Sequence, residues 1–199
     1  LQVHIRQGMR ISPSNEHASL PSFSEERQGG NKGFFSSNGK DVALLGLGNI
    51  LLGDEGVGVH ALGILNDRFD FPDNVEIIDG GTMGLDLLPF IEGRDKLLIL
   101  DAVNLGKEPG TICIIEDCDI PSFISTKLSI HQVGLPDVIF ALKLLGKAPP
   151  RMTLIGIQPE TIESGLAMSM SVRNNLEELL AAVTEKLSEW GIVLKERTA

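Results

Sequence analysis

From position 41 the chain alternates short apolar runs with stretches of helical period. Val42-Ala-Leu-Leu-Gly-Leu47 is a continuous apolar run ending in glycine, the pattern of a strand buried on both faces. After the loop Gly48-Asn-Ile-Leu-Leu-Gly-Asp-Glu55, residues Val57, Ala61, Ile64 and Leu65 recur at helical spacing and predict a helix over about 56–67. Val75-Glu-Ile-Ile78 is a second strand, closed by Asp79-Gly-Gly81, and Leu85, Leu88 and Ile91 predict a short helix. Lys96-Leu-Leu-Ile-Leu100 is a third strand, ending at Asp101, and Thr111-Ile-Cys-Ile-Ile115 a fourth. Only residues 102–110 lie between them, with Pro109-Gly110 inside. A parallel crossover needs about a dozen residues, so the fourth strand is expected antiparallel to its neighbours. Leu135, Val138, Ile139, Leu142 and Leu145 mark a helix stopping at Gly146. Thr153-Leu-Ile-Gly-Ile157 is a fifth strand, and Leu176, Leu179, Leu180, Val183 and Leu187 mark a C-terminal helix.

This succession predicts one α/β domain over residues 41–199, a three-layer arrangement. Its centre is a twisted, mostly parallel five-stranded sheet with one antiparallel strand and helices on both faces. Residues 1–40 have no period. They are rich in Ser, Asn, Gln, Gly, Arg and Glu and read as a disordered or non-native N-terminal extension, outside the fold.

Composition narrows the function. A formal charge of −10 with no Lys/Arg cluster argues against a phosphate-tracking surface, so no nucleic-acid partner is expected. No apolar run approaches the ~20 residues of a membrane span, and the first thirty residues carry no secretory apolar core. Cys113 and Cys118 are too few for a disulfide framework and read as reduced thiols, Cys113 buried. Together these features point to the cytoplasm.

In a sheet of this kind the site lies beyond the carboxyl ends of the strands. The polar residues there are Asn49, Asp54, Glu55, Asp79, Thr82, Asp101, Asn104, His131, Gln132, Gln158 and Glu160. Acids from several of these loops with one histidine form an O/N set suited to a divalent metal. A dinucleotide site is a rival, because Gly46-Leu-Gly48 begins like its glycine fingerprint and Asp79 closes the second strand. But Leu51 stands at the third glycine, and Asp54 and Glu55 occupy the helix start where pyrophosphate should sit. The chain has no H-E-x-x-H and no G-x-S-x-G, and neither cysteine has a motif-paired histidine.

Four motifs occur in order: Gly46-Leu-Gly-Asn-Ile-Leu-Leu-Gly-Asp-Glu-Gly-Val-Gly58, Asp79-Gly-Gly-Thr82, Leu100-Asp-Ala102 and His131-Gln-Val-Gly-Leu135. Over about 42–195 the chain resembles the hydrogenase maturation endopeptidases, which process the large subunit of nickel–iron hydrogenases. The resemblance implies one peptide-bond cleavage, removing the C-terminal extension of the nickel-loaded precursor, by an aspartic-type peptidase with metal-dependent recognition. It implies that Glu55, Asp101 and His131 contact the nickel. That metal is carried by the substrate, and another divalent ion can take its place in vitro. Asp79 is the candidate catalytic residue, polarising a water or the scissile carbonyl. Water attack is then driven by the metal as Lewis acid or by a carboxylate as general base; the residues leave both open.

Each residue also has a plain structural reading. Glu55 in a first helical turn favours the helix dipole, Asp54 can cap, Asp79 and Asp101 can start turns, and His131 can cap the following helix. His60 reads as partly buried and non-ligating; His4 and His17 lie in the tail. Two alternatives of other classes stand beside the peptidase: a non-cleaving, metal-checking chaperone and a nucleotide-binding α/β protein.

Overall fold

The computed structural model describes residues 3–5, 41–117, 119–120 and 135–197. Among these residues the strands are β1 Val3–Ile5, β2 Val42–Leu47, β3 Phe69–Asp70, β4 Val75–Gly81, β5 Lys96–Ala102, β6 Ile112–Glu116, β7 Arg151–Ile157 and β8 Lys195–Glu196. The helices are α1 Val57–Arg68, α2 Leu88–Ile91, α3 Leu135–Leu144 and α4 Met170–Glu189. A turn of 3-10 helix, Gly53–Gly56, leads into α1 and another, Gly84–Leu87, into α2.

The main sheet has the order β1-β6-β7-β5-β2-β4. β4, β2, β5 and β7 run parallel, with Leu44 of β2 level with Ile77 of β4 on one side and Leu98 of β5 on the other. β6 is antiparallel to β7, as the short 102–110 connection requires. The chain leaves β5, skips one position, returns as β6, and later fills the skipped position with β7. All five predicted strands are present, each within two residues of its predicted bounds except β4, which runs three residues past Ile78 to Gly81.

Alternate side chains of the inner strands serve two cores, which explains the unbroken apolar runs. Val42, Leu44, Leu98, Leu100, Ile155 and Ile157 face α1 and α4. Ala43, Leu45, Leu97, Ile99 and Leu154 face α3 and the short 3-10/α2 segment. α3 ends one residue short of the predicted Leu145, with Gly146 in the left-handed region at φ +68°. α4 begins at Met170, well before Leu176, because Ser169 caps it by accepting the Val172 N–H on its Oγ at 3.3 Å.

Three strands depart from the pattern-based expectation. β3 and β8 pair antiparallel as a separate ribbon of two residues each, too short to show a period. β1 pairs antiparallel along β6, with Val3 level with Ile115 and Ile5 with Cys113. It therefore adds a sixth strand from within the N-terminal forty residues, the stretch expected to lie outside the fold. Pairing there rests on backbone bonding, which three residues supply without any visible pattern.

Candidate active site

The N-terminal end of α1 is pressed onto the ends of β2 and β5. A Cβ on Gly58 would lie 2.2 Å from the Leu100 carbonyl oxygen and 2.5 Å from that of Leu47. Gly48 turns at φ +114°, where a Cβ would collide with the Glu55 carbonyl oxygen at 1.8 Å. These glycines thus let backbone meet backbone and bring the 3-10 turn holding Asp54 and Glu55 against β5. They serve close packing rather than the approach of a pyrophosphate, and Asp54 and Glu55 both lie in that turn.

Most polar groups at the strand ends are engaged by backbone. Asn49 Oδ1 accepts the Leu51 N–H at 3.0 Å, and Asn104 Oδ1 accepts that of Gly106 at 3.1 Å. Gln158 accepts the Leu105 N–H at 2.6 Å. Asp79 Oδ1 accepts the Gly81 N–H at 3.1 Å, the side-chain turn expected before Gly80-Gly81. Asp54 does not cap α1. Its fully buried carboxylate receives Glu160 N–H and Thr161 N–H on Oδ2, at 2.9 and 3.2 Å, and Ser169 N–H on Oδ1 at 2.6 Å. It ties the turn before α1 to the 160–169 loop, a role invisible in sequence because all three donors lie over a hundred residues away.

Glu55 and Asp101 are different. Glu55 Oε2 and Asp101 Oδ1 are buried atoms with no hydrogen-bond partner among the described residues, a costly state for a carboxylate unless a cation or proton compensates. Burial pushes the Asp101 carboxyl up to about 7; the Ala102 N–H opposes this and the nearby charge of Glu55 adds to it. The structure therefore brings these two predicted residues together. The third, His131, lies outside the described residues, as do Gln132 and Cys118. His60, on α1, is half-buried, and its Nε2 also lacks a partner among the described residues. Cys113 is level with Gly156, which is level with Asp101, so the three form a row across β6, β7 and β5. Burial pushes the Cys113 thiol up to about 12, with a smaller contribution from the Asp101 charge, so it is no thiolate nucleophile at neutral pH.

Two adjacent carboxylates with uncompensated oxygens at the ends of parallel strands suit a cation brought from outside. Comparison with known proteins decides between the classes that such a site allows. The family model described as hydrogenase maturation protease matches residues 59–186. The chain belongs to that family. The hydrogenase expression/formation protein HupD of Bradyrhizobium diazoefficiens is 40% identical over 166 residues, covering 82% of this chain and 86% of HupD. The solved hydrogenase maturating endopeptidase HybD of Escherichia coli superposes with a TM-score of 0.75 at 40% identity, over 78% of this chain and 97% of that one. The [NiFe] hydrogenase maturation protease HybD of Thermococcus kodakarensis gives 0.60 at 26% identity, over 73% and 97%. As a hydrogenase maturation protease the chain is a peptide-bond hydrolase, and its mixed sheet flanked by helices is that of its solved relatives. No helix among the described residues is long and apolar enough to cross a membrane.

Proposed function

We propose that this maturation protease removes the C-terminal extension from the nickel-loaded precursor of a nickel–iron hydrogenase large subunit. The observation that carries the reading is the pair of orphaned buried oxygens, Glu55 Oε2 and Asp101 Oδ1, on adjoining elements. Together with His131 they are the groups that hold the nickel of the precursor. The metal here belongs to the substrate: its binding reports that insertion is complete and brings the scissile bond to the strand ends. An uncompensated carboxylate pair is a poor resting state and a good receptor for a divalent cation, so the site favours the loaded precursor over the empty one.

Asp79 is given the water-polarising role. It lies exposed near the end of β4, two residues before Gly81, and its bond to the Gly81 N–H holds the carboxylate in place. This is the aspartic side of the chemistry; nickel contributes Lewis acidity when it is bound. The partner is the precursor, and the compartment is the cytoplasm.

The test is direct. Nickel-loaded precursor is incubated with the purified protein, and the large subunit is weighed by mass spectrometry. Loss of a C-terminal segment only from the loaded form is the expected result. Tight binding without mass loss would instead make the protein a metal-checking chaperone.

A further inference from the structure

Beside the carboxylate pair, two loops are fastened into one surface. Leu52 and Gly165 form a parallel bridge, Gly165 N–H donates to the Leu51 carbonyl at 2.9 Å, and Gly53 N–H donates to that of Gly165 at 2.7 Å. Asp54 N–H reaches the Thr161 carbonyl at 3.3 Å, and the Asp54 carboxylate holds Thr161 and Ser169 from within. Each of these fastenings has at least one end at or next to a large apolar side chain that faces solvent. Ile50, Leu51, Ile162, Leu166 and Met170 are between 42% and 72% exposed. Ile50 is placed against the site itself, for a Cβ on Gly56 would lie 2.6 Å from the Ile50 Cα. Five such side chains on two mutually bonded loops beside the carboxylate pair are an apolar surface of the kind that marks a contact site.

The charge around them has one sign. Segments 48–56 and 158–170 contain Asp54, Glu55, Glu160 and Glu163 but no lysine or arginine, and Glu160 and Glu163 are exposed. Resting on the function proposed above, we infer that this rim is the docking surface for the hydrogenase precursor, and that it takes an apolar segment of the precursor flanked by lysine or arginine. The apolar side chains of the rim bury that segment, and Glu160 and Glu163 face its basic flank. The backbone fastening keeps the rim in shape before the partner arrives, so little ordering is needed on binding. The same Asp54 that secures the rim precedes Glu55 in the chain, so docking and metal contact share one rigid support.

The experiment measures steady-state cleavage and direct binding of nickel-loaded precursor, using the full chain. Leu51→Ser and Leu166→Ser should each raise KM and Kd roughly tenfold with kcat little changed. Leu144→Ser, on the exposed side of α3, serves as a control and should leave both constants unaltered. Glu163→Lys should weaken binding several-fold, with the loss shrinking at high salt. Melting temperatures of all four should match the parent. Unchanged KM and Kd in the two leucine variants would overturn the rim, and an unaffected Glu163→Lys would overturn its basic partner. If the parent binds the precursor in a Leu51-dependent way but never cuts it, the rim stands and the peptidase reading fails. Cleavage by all variants at the parent KM does the reverse.

Discussion

The backbone N–H of Ser169 donates to the Asp54 carboxylate at 2.6 Å across 115 residues of sequence. Two further N–H groups, from Glu160 and Thr161, complete the set. Replacing Asp54 by Asn keeps the shape but turns an NH2 group toward an N–H donor. Hydrogen bonds to a buried charge contribute about 1.5–3 kcal/mol each. Asp54→Asn should therefore cost on the order of 3 kcal/mol and lower the melting temperature by several degrees. Thermal unfolding of the purified variant checks this; a melting point equal to that of the parent would mean the carboxylate is not needed as the tie.

Glu55, Asp101 and His131 should behave as a set. Glu55→Gln, Asp101→Asn and His131→Ala should each cut processing of nickel-loaded precursor by roughly two orders of magnitude or more, with circular dichroism unchanged. Neutral amides are poor ligands for a divalent cation, and alanine offers no donor. Near-normal cleavage by either amide variant would return that acid to a structural role.

Asp79→Asn separates chemistry from recognition. The amide oxygen can still accept the Gly81 N–H, so the turn survives. Cleavage should fall about 10²-fold or more while the Kd for loaded precursor stays within a factor of two. Equal losses in rate and binding would place Asp79 among the metal-contacting groups instead.

The metal-free protein should carry a pH signature of Asp101. Its folded carboxyl titrates near 7 against an ordinary 3.8, so the folded state holds a proton that the unfolded state has released. The resulting stability is fully present below the unfolded value and is lost as pH rises through about 7. A tenfold gain in proton affinity on folding is equivalent to about 1.4 kcal/mol, so keeping this charge buried at pH 8 costs on the order of a few kcal/mol. Asp101→Asn should be more stable than the parent at pH 8, and the difference should vanish toward pH 4. Denaturant titrations across that range measure it; a variant no more stable at pH 8 would show that the charge is compensated without metal.

Residues 1–38 test where the domain begins. Their removal should leave residues 41–197 folded, since both cores are built from later residues, and should forfeit only the pairing of β1 on β6. A fall of a few degrees in melting temperature is expected; loss of cooperative unfolding would mean that the tail belongs to the core.

The central strands were legible because burial on both faces writes an unbroken apolar run: Val42–Leu47 and Lys96–Ala102 could be little else. The antiparallel return of β6 followed from the length of one connection. β3 and β8 had no chance of being read, since a two-residue strand has no period. Asp54 and Glu55 look alike in sequence, adjacent acids before a helix. Only the distant donors at Glu160, Thr161 and Ser169 tell them apart, by consuming one carboxylate and leaving the other open. Asp101 stood among the strand-end candidates and was singled out through the resemblance; its uncompensated burial was not legible. His131 was found through the resemblance, and the described residues add nothing to it.

The placement of β7 between β5 and β6 also bears on the order in which the sheet can close. β5 and β6 precede β7 in the chain, and among the described residues it is β7, from residue 151 on, that fills the lane between them. The 160–169 loop, which anchors Asp54, follows the strand that fills the lane. Glu55 and Asp101 are therefore in the chain well before the loop that clasps the turn of Glu55 through Asp54. Such long-range closure is a slow, late step in folding, so the turn bearing Glu55 is secured only after residues more than a hundred positions downstream have joined the sheet.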